Sequence, residues 1–379
     1  MSDVIDDILG DDLTKKEVVE TTNEKVKSKE PEFLPGVGFD VGTCNLVVTR
    51  QTKDKTFINK YHRNLLLQLP DSEDSNELLQ RGSYLYAKMN GKCYIVGEDA
   101  LRVAAVINKS EDLVKPMQNG MLNPKLSASS DLLFFIIKSL CGEKLFDNEP
   151  LRFSVPANDK FSKMDNRFHQ IVLGGFFNKM GYNAKSINEA VALALDCNPI
   201  LKEENGEETP LSGLAISFGG GMANCCVMYR GIELDSFSIT SSGDAIDASV
   251  SQVTGIPVAN IIRIKERKLD LNKIDASDRV QQALSIYYDE LIERVINAIG
   301  NNFKDKKSEM EGKIEVVIGG GTSLCNGFVS RLEEGFKKYP IPFDILRVRH
   351  AQSAFFGVSN GCCLRARADY IRSQKDNKK

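Results

Sequence analysis

Apolar residues in this chain fall into short blocks that alternate between two periods. GVGFDV (residues 36–41), NLVVTR (45–50) and TFINKY (56–61) predict a three-strand meander, with the tight turn GTC between the first two strands. The long apolar run DLLFFIIKSLCG (131–142) predicts a helix, LRFSVPA (151–157) a buried strand, and the segment from about Lys160 to Met180 an amphipathic helix. The same order then returns: LAISFGGG (214–221), CCVMYRG (225–231) and ELDSFSI (233–239) repeat the strand, glycine turn, strand, strand pattern of the first segment. Residues 277–303 follow as a long helix with Val280, Leu284, Tyr287, Leu291, Val295 and Ile299 on one stripe and Ser277 as its expected cap. Strands and helices in alternation predict an α/β architecture with covered sheets, and the internal echo predicts a duplicated fold.

These blocks divide the chain. Residues 1–32 form a charge-rich arm read as disordered, and residues 33–65 with 119–190 form the core of a first lobe, joined by a C-terminal helix over 350–372. Residues 66–118 read as a small inserted subdomain, with a polar loop PDSEDSNE (70–77) and the paired segments SYLYAKM and KCYIVGEDAL. Residues 191–349 form a second lobe, and 373–379 a disordered tail. Within the arm, VIDDILGDDL gathers Val4, Ile5, Ile8, Leu9 and Leu13 near one face of a possible short helix whose other face is acidic. An acidic face suggests a protein partner or a solvated tail, where a basic one would suggest a membrane.

Composition narrows the function classes. With 379 residues, 42% apolar, 27% charged and a net charge of −3, the chain reads as a soluble protein long enough for two domains of ordinary size or one large two-lobed body, not a nucleic-acid binder of the basic-patch kind. No apolar run approaches a membrane span, and the acidic N-terminus is unlike a secretory signal, so direct membrane insertion is not expected and the cytoplasm is. The nine cysteines lack metal-ligand spacing and read as reduced, buried thiols, and His62, His169 and His350 are too scattered to form a metal set.

The chemistry concentrates in three glycine turns, each after a predicted buried strand: GFDVGTCN (38–45), SFGGGMAN (217–224) and IGGGTSLCNG (318–327). Little side-chain bulk at a strand end lets backbone N–H groups approach phosphates. The first turn has an acid before it, Asp40; the second has Ser217 where a second acid is expected.

In this order the motifs resemble the ATPase fold shared by actin, bacterial actin homologues, heat-shock chaperone ATPase domains and sugar kinases, over about Val37 to Arg365. SVPA (154–157) and SINEAVALAL (186–195) look like the segments that connect the two phosphate motifs. YIVGEDAL, PMQNGML and GDAID are most similar to filament-forming bacterial actins of the MreB and MamK kind. The resemblance implies a two-lobed, ribonuclease H-like fold with ATP or ADP and Mg2+ in the cleft. Asp40 would hold magnesium through water, the turn Gly42, Thr43, Cys44 and Asn45 would cradle phosphates, and Glu189 would be the acid that positions the attacking water. In the second motif Ser217, Gly219, Gly220, Gly221 and Met222 would meet the phosphates, with Gly243 and Asp244 of GDAID nearby. Gly319, Gly320, Gly321, Thr322 and Ser323 would lie against the adenosine, with Lys265 and Glu266 of RIKER near the base. Other readings stand beside these: an N-terminal helix acid for Glu189, a turn aspartate for Asp40, a solvated charged face for RIKER.

Two departures from the family stand out. Ser217 and Met222 replace the usual aspartate and threonine, which removes a charge that serves metal binding and turnover. About a dozen residues separate Arg263 from the helix near Ser277, where relatives insert a small subdomain. The leading expectation is an actin-like cytoskeletal protein that forms homopolymeric filaments and hydrolyses ATP slowly, its arm free for a protein partner. A nucleotide-binding adaptor without useful hydrolysis and a chaperone-like reactivating ATPase are the alternatives.

Overall fold

The computed structural model describes residues 32–123, 125–126, 128–157, 166–197, 201–202, 208–310 and 312–376; the arm up to residue 31 and the last three residues of the predicted tail lie outside them. In the first lobe, β1 (Phe33–Val41), β2 (Asn45–Thr52) and β3 (Phe57–Arg63) form an antiparallel meander. The small sheet that follows contains β4 (Leu66–Pro70), β5 (Tyr86–Met89), β6 (Lys92–Val96) and β7 (Leu113–Val114), with α1 (Glu73–Gly82) and α2 (Glu98–Val106). Next come α3 (Ser129–Cys141), β8 (Glu149–Val155), α4 (Arg167–Lys179), β9 (Tyr182–Asn188) and α5 (Glu189–Leu195). The first large sheet has the order β9-β8-β1-β2-β3, with β8 parallel to β1 and β9 parallel to β8.

The second lobe repeats this plan. Strands β10 (Gly213–Phe218), β11 (Met222–Tyr229) and β12 (Ile232–Thr240) form the meander; then come α6 (Gly243–Thr254), α7 (Val258–Arg267), α8 (Arg279–Asn302), β13 (Lys313–Gly319), α9 (Phe328–Lys338), β14 (Asp344–His350) and α10 (Gly357–Asp376). Its sheet order is β12-β11-β10-β13-β14, again with two parallel strands added beyond the first strand of the meander. The echo in the sequence is therefore an echo in topology.

Each large sheet has its own apolar core, and a third cluster lies between them. There α5 and α10 bring Leu193, Val358 and Cys362 against Ala215, Cys226 and Val317 of the second sheet. Glycines allow this closeness: a methyl on Gly38 would sit 2.1 Å from the Ser359 carbonyl oxygen, and one on Gly361 would sit 1.8 Å from that of Ala192. So α10 is wedged against β1 on one side and α5 on the other.

Several local expectations change. The polar segment PDSEDSNE is not a loop: Ser72 caps α1 by accepting from the Ser75 amide, and Glu73 and Asp74 occupy the first turn, where acids suit the helix dipole. The cap of α8 is Asp278, which accepts from the Val280 and Gln281 amides, while Ser277 is bonded to Asp275. On α8 the fully buried tyrosine is Tyr288, with Tyr287 partly buried at the edge of the same core. The C-terminal helix starts at Gly357, after strand β14, and continues to Asp376, so residues 373–376, read as tail, are helical. Of the helix expected from Lys160, the described part begins at Arg167. No helix among the described residues is long and apolar enough to cross a membrane.

Candidate functional site

The strand ends of both large sheets face a cleft of about 680 Å³. Chain order explains why the three turns meet there: β1 to β2, β10 to β11 and the segment after β13 all leave their sheets at the same end, and all three contribute to the lining. Gly42, Thr43, Cys44 and Asn45 line it from the first turn, and Ser217 with Gly219 to Met222 from the second. Gly320, Gly321 and Thr322 line it from the third, and Asp244, Lys265 and Glu266 from α6 and α7. Gly243, Gly319 and Ser323 do not reach the lining; they sit behind it, Ser323 fully buried with its hydroxyl donated to the Gly320 carbonyl.

Two acids form the floor. Asp40 is the last but one residue of β1 and accepts from the Ser154 hydroxyl at 2.7 Å; Ser154 in turn accepts from the Val41 amide. Burial pushes the Asp40 carboxyl above the usual range, partly offset by that hydrogen bond. Glu189 is the first residue of α5, yet it does not cap the helix, because the Asn188 side chain accepts from the Ala190 and Val191 amides. That frees Glu189 to reach across to the second lobe, where its two oxygens accept from Ser217 Oγ at 2.7 Å and Asn224 Nδ2 at 2.9 Å. Asn224 is oriented in turn by Ser238, which donates to its Oδ1 at 2.5 Å. Burial and the charge of Asp40 both push Glu189 upward in pKa, with the Ser217 hydrogen bond working against them. Ser217 thus has a definite task here. An aspartate in its place would put a third carboxylate against this partly buried pair.

The turns leave donors uncommitted. The amides of Thr43, Cys44, Gly220 and Gly221 make no hydrogen bond among the described residues. The carbonyls of the second turn are taken instead: Gly219 accepts from Thr322 Oγ1 at 2.9 Å and from the Gly243 amide, and Gly220 accepts from the Asp244 amide at 2.8 Å. The first two turns are in contact, since a methyl on Gly220 would sit 2.2 Å from Cys44 Sγ and one on Gly221 2.5 Å from Thr43 Oγ1. Bare backbone with free amides beside a carboxylate floor suits a polyphosphate with a hard divalent cation, so the residues present fit ATP and magnesium.

Cations complete the site, and several were missed by sequence reasoning. Lys115 pairs with Asp244 at 2.7 Å across the cleft and approaches Cys44 Sγ at 3.7 Å. Although burial works the other way, Lys115 and the Cys44 hydrogen bond hold the Asp244 carboxyl below its ordinary pKa. Burial and the neighbouring Asp244 carboxylate push the Cys44 thiol up to about 12. Arg63 joins Glu98 of the small subdomain to Glu266 of α7, at 2.9 and 2.6 Å. Lys265 is held by Asp247 at 2.7 Å, and the other Asp247 oxygen is buried without a partner among the described residues. Lys115 stands directly before PMQNGML and Asn224 within SFGGGMAN, so both were adjacent to recognised motifs; nothing local marks Arg63. At the far end Ile262, Leu269 and Leu324 make the cleft more apolar.

Two sheets of one topology closing on a cleft, with a glycine turn at each contributing strand end, define the two-lobed actin-like ATPase fold of the MreB and MamK kind. The Volactin family model matches residues 36–366, and the chain belongs to that family. Among solved structures, a MamK double helical filament is similar at 15% identity and a TM-score of 0.61, over 87% of this chain and 98% of that one. MreB5 of Spiroplasma citri bound to AMPPNP is similar at 17% identity and a TM-score of 0.62, over 92% of this chain and 100% of that one. The ethanolamine utilization protein EutJ from Carboxydothermus hydrogenoformans is similar at 13% identity and a TM-score of 0.50, over 92% of each chain. No curated protein matches the sequence.

Proposed function

We propose that this protein is a cytoplasmic actin-like cytoskeletal ATPase that binds ATP and magnesium in the interlobe cleft and assembles head to tail into filaments. The observation that carries the reading is the convergence of Asp40, Glu189 and four uncommitted turn amides in one cleft. The MamK filament and the nucleotide-bound MreB5 structures support it by likeness of fold.

In this reading the amides of Thr43, Cys44, Gly220 and Gly221 bind the phosphates, with Lys115 as the nearest cation. Asp40 would hold magnesium, and the ion would supply charge neutralisation at the phosphates. Glu189, steadied by Ser217 and Asn224, orients the attacking water, a role in which positioning counts more than basicity. Hydrolysis is slow because Ser217 contributes a hydrogen bond but no charge. Gly320 to Thr322 and the apolar end of the cleft receive the adenosine. A head-to-tail contact does not close on itself and so propagates into a polymer.

A second reading, nucleotide binding without useful hydrolysis, is favoured by one specific feature: both Glu189 oxygens are already engaged by protein donors. Electron microscopy of the purified protein with ATP, with ADP and without nucleotide tests assembly; a monomer in all three at every concentration sinks the filament. Phosphate release from the native chain against Glu189→Ala decides between hydrolysis and mere binding. Release from the native chain that Glu189→Ala leaves intact would remove Glu189 from the mechanism.

A further inference from the structure

The first sheet has a second end, opposite the cleft, where β1 and β8 begin. There the loop before β8 and the last turns of α10 expose an apolar patch: Leu145 is 45%, Phe146 38% and Ile371 44% accessible. The rings of Phe146 and Tyr370 lie 5.8 Å apart and tie the two segments together. Arg367, Ile371 and Lys375 follow one another at helical spacing along α10. Neither Arg367, Arg372 nor Lys375 forms an ion pair among the described residues, whereas Lys144 is paired with Asp147 and Arg365 with Asp369. Glu143 and Asp376 lie on the same two segments, so the three unpaired cations stand against two acids and the patch keeps one net positive charge.

We propose that Val4–Leu13 of this chain docks on that patch. Its sequence, VIDDILGDDL, is complementary in both respects: Val4, Ile5, Ile8, Leu9 and Leu13 are apolar, Asp6, Asp7, Asp11 and Asp12 are acidic, and no residue in it is basic. The chain also enters the fold beside the patch. Glu32 pairs with Lys53, and Phe33 lies under the Arg50 guanidinium at 5.7 Å. Arg50 donates to the Glu143 carbonyl at 3.1 Å and to Glu149, whose carboxylate accepts from the Leu145 amide at 2.9 Å. Gly36 lies against the backbone of Arg367, where a methyl would come within 2.8 Å of its nitrogen.

Reach is not limiting. The stretch between Leu13 and Glu32 would span about 23 Å root-mean-square as a flexible chain, and a tether of that length gives an effective concentration on the order of millimolar. A weak apolar contact, strengthened by four aspartates facing unpaired cations, is then enough to keep the segment docked. The inference is independent of nucleotide binding.

Hydrogen exchange on the full-length protein, at a concentration where it is monomeric, tests it. The amides of residues 368–376 are expected to exchange about tenfold more slowly in the native chain than in the double variant Ile8→Glu/Leu9→Glu. Ile371→Glu, at an exposed position, abolishes that difference, and added salt shrinks it. Exchange in α8, remote from the patch, stays unchanged in all variants and confirms that they fold. Equal exchange in native chain and double variant overturns the proposal. So does protection that rises with protein concentration, which assigns the patch to a second copy of the chain.

Discussion

At the residue scale the site turns on how two partly buried acids are supported. Ser217 stands where the resemblance leads one to expect aspartate, and the geometry supplies a reason: it donates to Glu189 at 2.7 Å, so the position gives the acid a hydrogen bond where an aspartate would bring a further charge. Ser217→Asp should therefore lower the melting temperature in EDTA by several degrees, the equivalent of roughly 1–3 kcal/mol from an added buried carboxylate, and magnesium with ATP should restore it. A variant that melts as the native protein does in EDTA would show that the floor tolerates a third charge. Away from the cleft, His169 is buried on α4, with neither ring nitrogen partnered among the described residues, and burial pushes its pKa down to about 4. The unfolded chain takes up a proton near pH 6.5 and the folded chain does not until about pH 4, so the stabilising effect of the neutral ring is complete above pH 6.5 and is lost as pH falls through that window. Urea unfolding should show about 2 kcal/mol less stability at pH 5 than at pH 7.5 from this group. His169→Leu should flatten that slope; an unchanged slope would mean that the ring titrates in the fold as it does in the unfolded chain.

At the element scale, strands were legible because their apolar runs are bounded by glycine turns, and helices because their stripes repeat at 3.6 residues. The errors were at ends, where a few hydrogen bonds decide. Ser277 and Asp278 are both good caps by residue type, and only the backbone geometry selects Asp278, whose side chain reaches two free amides while Ser277 is bonded to Asp275. Asp278→Ala should cost about 1 kcal/mol in chemical unfolding and Ser277→Ala a few tenths; the reverse order would restore the cap to Ser277. The helix α1 was hidden in PDSEDSNE because its first turn is polar throughout, although Ser72 followed by two acids is a helix-start signal in its own right.

At the scale of the whole molecule the decisive contacts cross the cleft. Lys115 lies just beyond the small sheet of the first lobe and Asp244 opens α6 in the second, so their ion pair spans the two walls. Arg63 adds a second link, from the end of β3 to Glu266 on α7, and the apolar contact of Leu65 and Leu101 with Ala259 and Ile262 adds a third. The short connection between α7 and α8 fits this arrangement, because α7 meets the small subdomain of the first lobe directly through that apolar contact. Lys115→Ala should speed release of a fluorescent ATP analogue about tenfold, equivalent to roughly 1.4 kcal/mol of lost closure. Stopped-flow release that is unchanged would mean that the pair does not hold the cleft shut.

The sequence alone determined the periodic elements, the duplicated order of strands, and the three glycine turns with Asp40 and Glu189, because these depend on local pattern and on residues that permit close backbone approach. Tertiary structure decided what no local pattern contains: that Asn188 takes the helix cap and frees Glu189, that Ser217 and Asn224 receive it, and that Lys115 and Arg63 bind partners about 130 and 200 positions away. Those facts depend on long-range hydrogen bonds and ion pairs. They exist only once both sheets have closed on the same cleft.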